Sequence, residues 1–99
     1  MEIVSITENN KLKVAINGRI DIDSADELKG HLVDKVSDAD DIEFDFGRVE
    51  YISSAGLRVF MWLNKQKAGN IEKIVLKNMN ETVKTVFELT GFTSIVTVK

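Results

Sequence analysis

The apolar residues of this chain recur at two different periods that replace one another along its length, which restricts the fold to one built from both strands and helices. Ile and Val alternate with other residues over 2–7, Asn9-Asn10 supplies a turn, and Leu12, Val14 and Ile16 share one face over 11–17. The pair reads as an opening antiparallel hairpin. From Ser24 the spacing becomes helical: Ala25, Leu28, Leu32 and Val36 recur every three or four residues, and Ser24 with Glu27 has the pattern of a capping box. This predicts a first helix over 24–36. Residues 42–46 form the next strand, and Gly47 marks where the chain leaves the sheet. A second helix starts at Ser53 or Ser54 and runs to about Lys67, with Gly69-Asn70 as its stop. A strand over 73–77 follows, then a third helix capped by Asn80, carrying Val83, Val86 and Phe87 and ending at Gly91, and a last strand over 94–98. This order predicts an α/β domain with a mixed sheet, an N-terminal hairpin and crossover helices.

At 99 residues, with no Pro- or Ser-rich linker and no internal repeat, the chain is expected to form a single domain over 1–99. Its 43% hydrophobic content suffices for one core. The 13 Lys and Arg are scattered among 16 Asp and Glu, and a net charge of −3 without a basic patch lacks the counterion release that drives binding to a phosphate backbone. No direct nucleic-acid partner is expected. The chain has no cysteine, which removes disulfides, thiolate metal sites and cysteine nucleophiles, and His31 is the single histidine, read as a surface residue. No apolar run approaches the ~20 residues of a membrane span and no basic-then-apolar leader opens the chain, so no membrane insertion and a cytoplasmic location are expected. Asp38, Asp40 and Asp41 lack the spacing, central glycine and terminal glutamate of a calcium loop and read as a solvated turn. No metal or cofactor is expected.

The stretch that carries chemistry runs from Val49 through Ser53-Ser54-Ala55-Gly56-Leu57 to Phe60. It joins a strand exit to two hydroxyl residues at a helix N-terminus, where unpaired N–H groups and the helix dipole favour negative charge. One serine can serve as the N-cap, and the same place accepts a phosphate on a serine side chain. At 100° per residue, Ala55, Val59, Phe60 and Leu63 fall on one face of this helix and are expected to pack on the sheet. Arg58, Met61, Trp62 and Lys65 cluster opposite them. That mixture of cations, Met and Trp has the composition of a protein-binding surface; cover of Trp62 by a neighbouring helix or loop is the competing reading.

The same stretch resembles the phosphorylation segment of the STAS-domain anti-sigma factor antagonists, in which a strand end meets a Ser-Ser-Ala-Gly-Leu or Asp-Ser-Ser-Gly-Leu run opening a helix. Gly18-Arg19-Ile20-Asp21 and the Val86 to Phe92 segment resemble two further parts of that family, and the element order matches over the whole chain. The resemblance implies a STAS-like single domain, with Ser54 at the phosphorylated position and Ser53, where the family often carries Asp, as the alternative acceptor. It adds Asp21 and the two serines as candidate contacts to the exposed face of the second helix, so that the expected partner-binding surface comprises Asp21, Ser53, Ser54, Gly56, Arg58, Met61 and Trp62, with Gly56, which lacks a Cβ, allowing a partner backbone to approach. The implied partners are an anti-sigma factor that is a serine kinase and a serine phosphatase; the chain itself would not be an enzyme, and ATP would belong to the kinase. A STAS module that works without phosphorylation, in a lipid-transport or stress-signalling complex, shares the fold and is the alternative. A serine hydrolase finds no support, since the Gly-x-Ser-x-Gly elbow is missing and any triad would depend on His31 alone.

Overall fold

A computed structural model describes residues 1–99. Five strands lie in one sheet in sequence order: β1 (Glu2–Glu8), β2 (Lys11–Ile20), β3 (Asp41–Ile52), β4 (Ile74–Lys77) and β5 (Thr97–Val98). Three helices connect the last four strands, α1 (Ile22–Leu32), α2 (Ser54–Gln66) and α3 (Glu81–Leu89). The first pair is antiparallel and the remaining pairs are parallel, so the sheet is mixed as expected. Asn9 and Asn10 both have positive φ, the backbone of a two-residue turn whose twist matches the strands it joins.

Each crossover steps to the next strand in the same direction, and a constant right-handed sense then puts every helix on one side of the sheet. Burial follows. Leu12, Val14, Ile16, Ile42, Phe44, Phe46, Ile74 and Leu76 point under the helices and are fully buried. The alternate residues, Lys11, Lys13, Ala15, Glu43, Asp45, Val75 and Lys77, form an open face that is half-buried or exposed. Parallel strands are usually covered on both faces; here ion pairs tile the open one, with Glu43 bridging Lys77 (3.0 Å) and Lys11 (3.3 Å) across three strands.

That bridge has a pH signature. The bond from Lys77, followed by that from Lys11, holds the Glu43 carboxyl below its ordinary range. A depressed carboxylate pKa contributes stability that is complete above the unfolded pKa and is lost as pH falls through the folded one. Glu43→Gln is therefore expected to cost up to about 1 kcal/mol at pH 7, with the difference from the parent shrinking as pH drops below ~4.3. Urea unfolding at pH 7 and pH 3 measures it; a difference that grows on acidification contradicts the assignment.

Several boundaries depart from expectation. The first helix begins at Ile22, capped by Asp21, and ends at Leu32, with Val36 carried by a separate turn of 3-10 helix. Its capping box is Asp21 with Ser24, not Ser24 with Glu27, because the chain leaves β2 immediately after Ile20 and the shorter entry brings Asp21 to the cap. The third strand does not end at Gly47 but continues to Ile52. Two one-residue bulges interrupt it, where Ala15 and Asn17 oppose Asp45 and Arg48, and again where Gly18 and Arg19 oppose Val49 and Tyr51. The bulges convert the inward spacing to every third residue, Phe46, Val49 and Ile52, which hides the strand from a search for period two. The last strand shrinks to Thr97–Val98 behind a 3-10 turn.

Side chains fasten the helix ends. Asn80 accepts from the Val83 amide (2.8 Å) to cap α3 and donates to the Val49 carbonyl (3.0 Å), tying that cap to the bulged strand. Lys67, at the C-cap of α2, donates to the Val36 carbonyl (2.6 Å) and to the Ala39 carbonyl, closing the chain reversal before β3. His31, expected at the surface, is half-buried with Nε2 2.8 Å from Ser5 Oγ of β1. Burial, then Lys35, holds its pKa below the ordinary value.

Candidate functional site

The register of the two longest strands creates the site. Ile20 pairs with Ile52, so the residues that follow them, Asp21 and Ser53, leave the sheet side by side and cap α1 and α2. The Ser53 amide donates to the Ile20 carbonyl (2.8 Å), which locks the two exits together. At the first exit the Ser24 amide donates to Asp21 Oδ1 (2.9 Å), the Asp21 amide donates to Ser24 Oγ (2.8 Å), and the Ser24 hydroxyl donates to the Arg19 carbonyl (2.7 Å). The Ser24 amide and hydroxyl hold the exposed Asp21 carboxyl below its ordinary range, so it is an anion at neutral pH.

The two serines are not equivalent. Ser53 Oγ accepts from the Gly56 amide (3.2 Å), the N-cap bond, and this side chain is half-buried. Ser54 is the first helical residue, is exposed, and its hydroxyl makes no hydrogen bond within the chain. The amides of Ser54 and Ala55 also have no acceptor within the chain, so unpaired donors surround an uncommitted hydroxyl.

Gly56 requires a correction. Expected at the partner surface, it is buried against the ends of both strands: a Cβ there would lie 2.7 Å from Ile20 Cγ2, 2.7 Å from Ile52 Cγ1 and 3.3 Å from the Ile20 carbonyl oxygen. The backbone it allows to approach is the protein's own. Along α2 the expected core face is present in Val59, Phe60 and Leu63, joined by Leu57, while Ala55 is only half-buried. Ser54, Arg58, Met61 and Lys65 form an exposed stripe at spacings of four, three and four. Trp62 is half-buried rather than free, its ring 5.2 Å from Lys29 Nζ of α1. Between the helices runs a groove of about 170 Å³ lined by Ala25, Asp26, Lys29, Ala55, Arg58 and Val59.

Sequence reasoning missed two exposed apolar side chains at the strand exits. Ile22, 71% exposed, starts α1 next to Asp21, and Tyr51, 37% exposed, has the Arg19 guanidinium 4.6 Å from its ring centroid. The hydrophobicity of Ile22 masked its place on the helix rim, and Tyr51 fell in the strand extension that the bulges concealed. No three or more His, Asp or Glu side chains converge as metal ligands would, and no helix is long and apolar enough to cross a membrane.

A mixed five-stranded sheet with three crossover helices is the architecture of a STAS domain. The family model described as "Mlab, STAS domain" matches residues 6–97, and the chain belongs to this family. Within it, the chain's relatives are anti-sigma factor antagonists. It is 31% identical over 94 residues to the anti-sigma-B factor antagonist of Bacillus subtilis, covering 94% of this chain and 86% of that one. It is 35% identical over 85 residues to BtrV of Bordetella bronchiseptica, assigned as an anti-sigma factor antagonist, covering 85% and 73%. Among solved structures, a Thermotoga maritima protein with the same assignment superposes with a TM-score of 0.86 at 22% identity, covering 97% of this chain and 84% of that one. SpoIIAA in its unphosphorylated form gives 0.83 at 14% identity, covering 99% and 88%. Bacillus SpoIIAA in the phosphorylated form gives 0.75 at 13%, covering 99% and 91%. At these identities the structures establish the shared fold.

Proposed function

We propose that this protein is a cytoplasmic anti-sigma factor antagonist: unmodified, it binds an anti-sigma factor that is a serine kinase and so frees a sigma factor, and phosphorylation of Ser54 ends the binding. The observation that carries the reading is the pair of unlike serines. Ser53 has its oxygen committed to the helix cap, while Ser54 is exposed and free to accept a phosphoryl group. The names of the relatives support the antagonist role, and SpoIIAA, which has this fold, exists in phosphorylated and unphosphorylated forms. The surface includes Asp21, Ser53, Ser54, Arg58 and Met61, with the uncovered edge of Trp62. A serine phosphatase would restore the binding form. ATP belongs to the kinase, and the protein acts by binding, without a reaction of its own; control of transcription is indirect.

The switch follows from simple electrostatics. A phosphate adds about −1.5 to −2 charges, which the unpaired amides at the start of α2 tolerate in the free protein. In a closed interface the same group must lose water beside the anionic Asp21. Phosphoserine at position 54 is therefore expected to weaken binding to the kinase at least tenfold, about 1.4 kcal/mol, with the melting temperature little changed. Ser54→Ala should bind constitutively and take up no phosphate, whereas Ser53→Ala should lose about 1 kcal/mol of stability with its cap and still be phosphorylated. Titration calorimetry with the anti-sigma factor recovered from the host tests this. Equal affinities of the two forms would defeat the switch and leave a STAS module that binds without phosphorylation.

A further inference from the structure

We infer that Arg58 is the internal counter-ion of the Ser54 phosphate, and that phosphorylation therefore withdraws Arg58 from the partner surface as well as adding charge to it. The inference rests on the reading that Ser54 is the phosphorylated residue. Arg58 lies one helical turn beyond Ser54 on the exposed stripe of α2, a spacing that brings their Cβ atoms to about 6 Å. The order is the favourable one, with the anion N-terminal to the cation.

Arg58 is also uncommitted. The four ion pairs of the molecule, Lys11 and Lys77 with Glu43, Lys73 with Asp41 and Lys13 with Glu8, all involve residues of β1 to β4 or the turn that leads into β4. None involves α2. Other cations near the serines are occupied or distant: Arg19 stacks on Tyr51, Lys29 lies over Trp62, and Lys65 is eleven residues along the helix from Ser54, roughly 16 Å of rise. Asp26, on the same groove as Arg58, is the nearest competitor, but it makes no ion pair with it and offers one charge where a phosphate offers about two. A guanidinium matches phosphate oxygens through two parallel N–H donors, which a lysine in this position would not.

Two states of one side chain follow. With Ser54 free, Arg58 stands open toward a partner carboxylate beside Met61. With Ser54 phosphorylated, the guanidinium turns back along its own helix, and the partner loses a cation at the moment it meets an anion.

The test needs neither kinase nor partner. Phosphoserine is introduced at position 54 during translation, and the second ionisation of the phosphate is followed by phosphorus NMR against pH at low ionic strength. The pairing predicts that Arg58→Gln raises this pKa by about 0.3 units or more, the equivalent of an i,i+4 ion pair, that Arg58→Lys recovers part of the shift, and that Lys65→Gln leaves it in place. An unchanged pKa in Arg58→Gln overturns the inference. So does an equal shift in Lys65→Gln, which would mark a general field and not a pair. Because the titration is performed on the isolated protein, its failure is separate from failure of the switch, which is read from partner affinity alone.

Discussion

Replacing Phe60 with alanine is expected to lower stability by about 3–5 kcal/mol. Phe60 is completely buried on the inner face of α2, and its ring meets Phe44 at 5.0 Å, Phe46 at 5.7 Å and Phe87 at 5.9 Å between centroids, all edge to face. These contacts join β3, α2 and α3. Truncation removes the transfer free energy of the ring, leaves a cavity and breaks three aromatic pairs, each worth about 0.5–1.5 kcal/mol beyond area alone. A domain of this size has roughly 5–15 kcal/mol in total, so much of its stability is at stake. Urea unfolding should show a lower midpoint with an unchanged slope. A loss below about 1 kcal/mol would mean that Phe44, Phe46 and Phe87 close over the gap, and that the core is less specific than its geometry.

Gly56→Val should have the second largest effect, a loss of about 2–3 kcal/mol, toward the upper part of the usual range for overpacking. The new Cβ would stand 2.7 Å from both Ile20 and Ile52, and both are buried at the strand ends, with no room to withdraw. The start of α2 must move instead, which strains the bond from the Ser53 amide to the Ile20 carbonyl and separates Ser54 from Asp21. Partner affinity should fall with stability. Gly56→Ala sharpens the test, since helix propensity alone would favour alanine by about 1 kcal/mol. If thermal unfolding shows Gly56→Ala to be more stable than the parent, the close approach of α2 to the strand ends is refuted.

Both effects concern the way α2 is seated, and the seating was only partly legible in the residue order. The site segment itself could be read because its signals are local: a strand run, two small hydroxyl residues, then apolar residues at helical spacing. Asn9-Asn10, Asn80 and Gly91 were readable for the same reason, since turn and cap preferences act within a few residues. Asp21 could be read as a solvated acid or as a helix-entry cap, and the residue order did not choose, because the Ser24-x-x-Glu27 capping pattern next to it is as good as Asp21-x-x-Ser24. Only the length of β2 chooses between them.

By itself, then, the sequence determined the order of elements, the mixed sheet and the position of Ser54 at a helix start, all consequences of short-range periodicity and backbone preference. Tertiary structure alone decided what depends on contacts between distant residues. The bulges that extend β3 to Ile52 exist in its pairing with β2, and the burial of Gly56 exists in the approach of α2 to Ile20 and Ile52. Likewise the half-cover of Trp62 exists in its packing against the core and in the approach of Lys29 from another helix. The distinction between the two serines was decided in the same way. Either hydroxyl can cap a helix in isolation; the bond from the Ser53 amide to Ile20, on a neighbouring strand, sets where the helix begins, commits Ser53 to the cap and leaves Ser54 free.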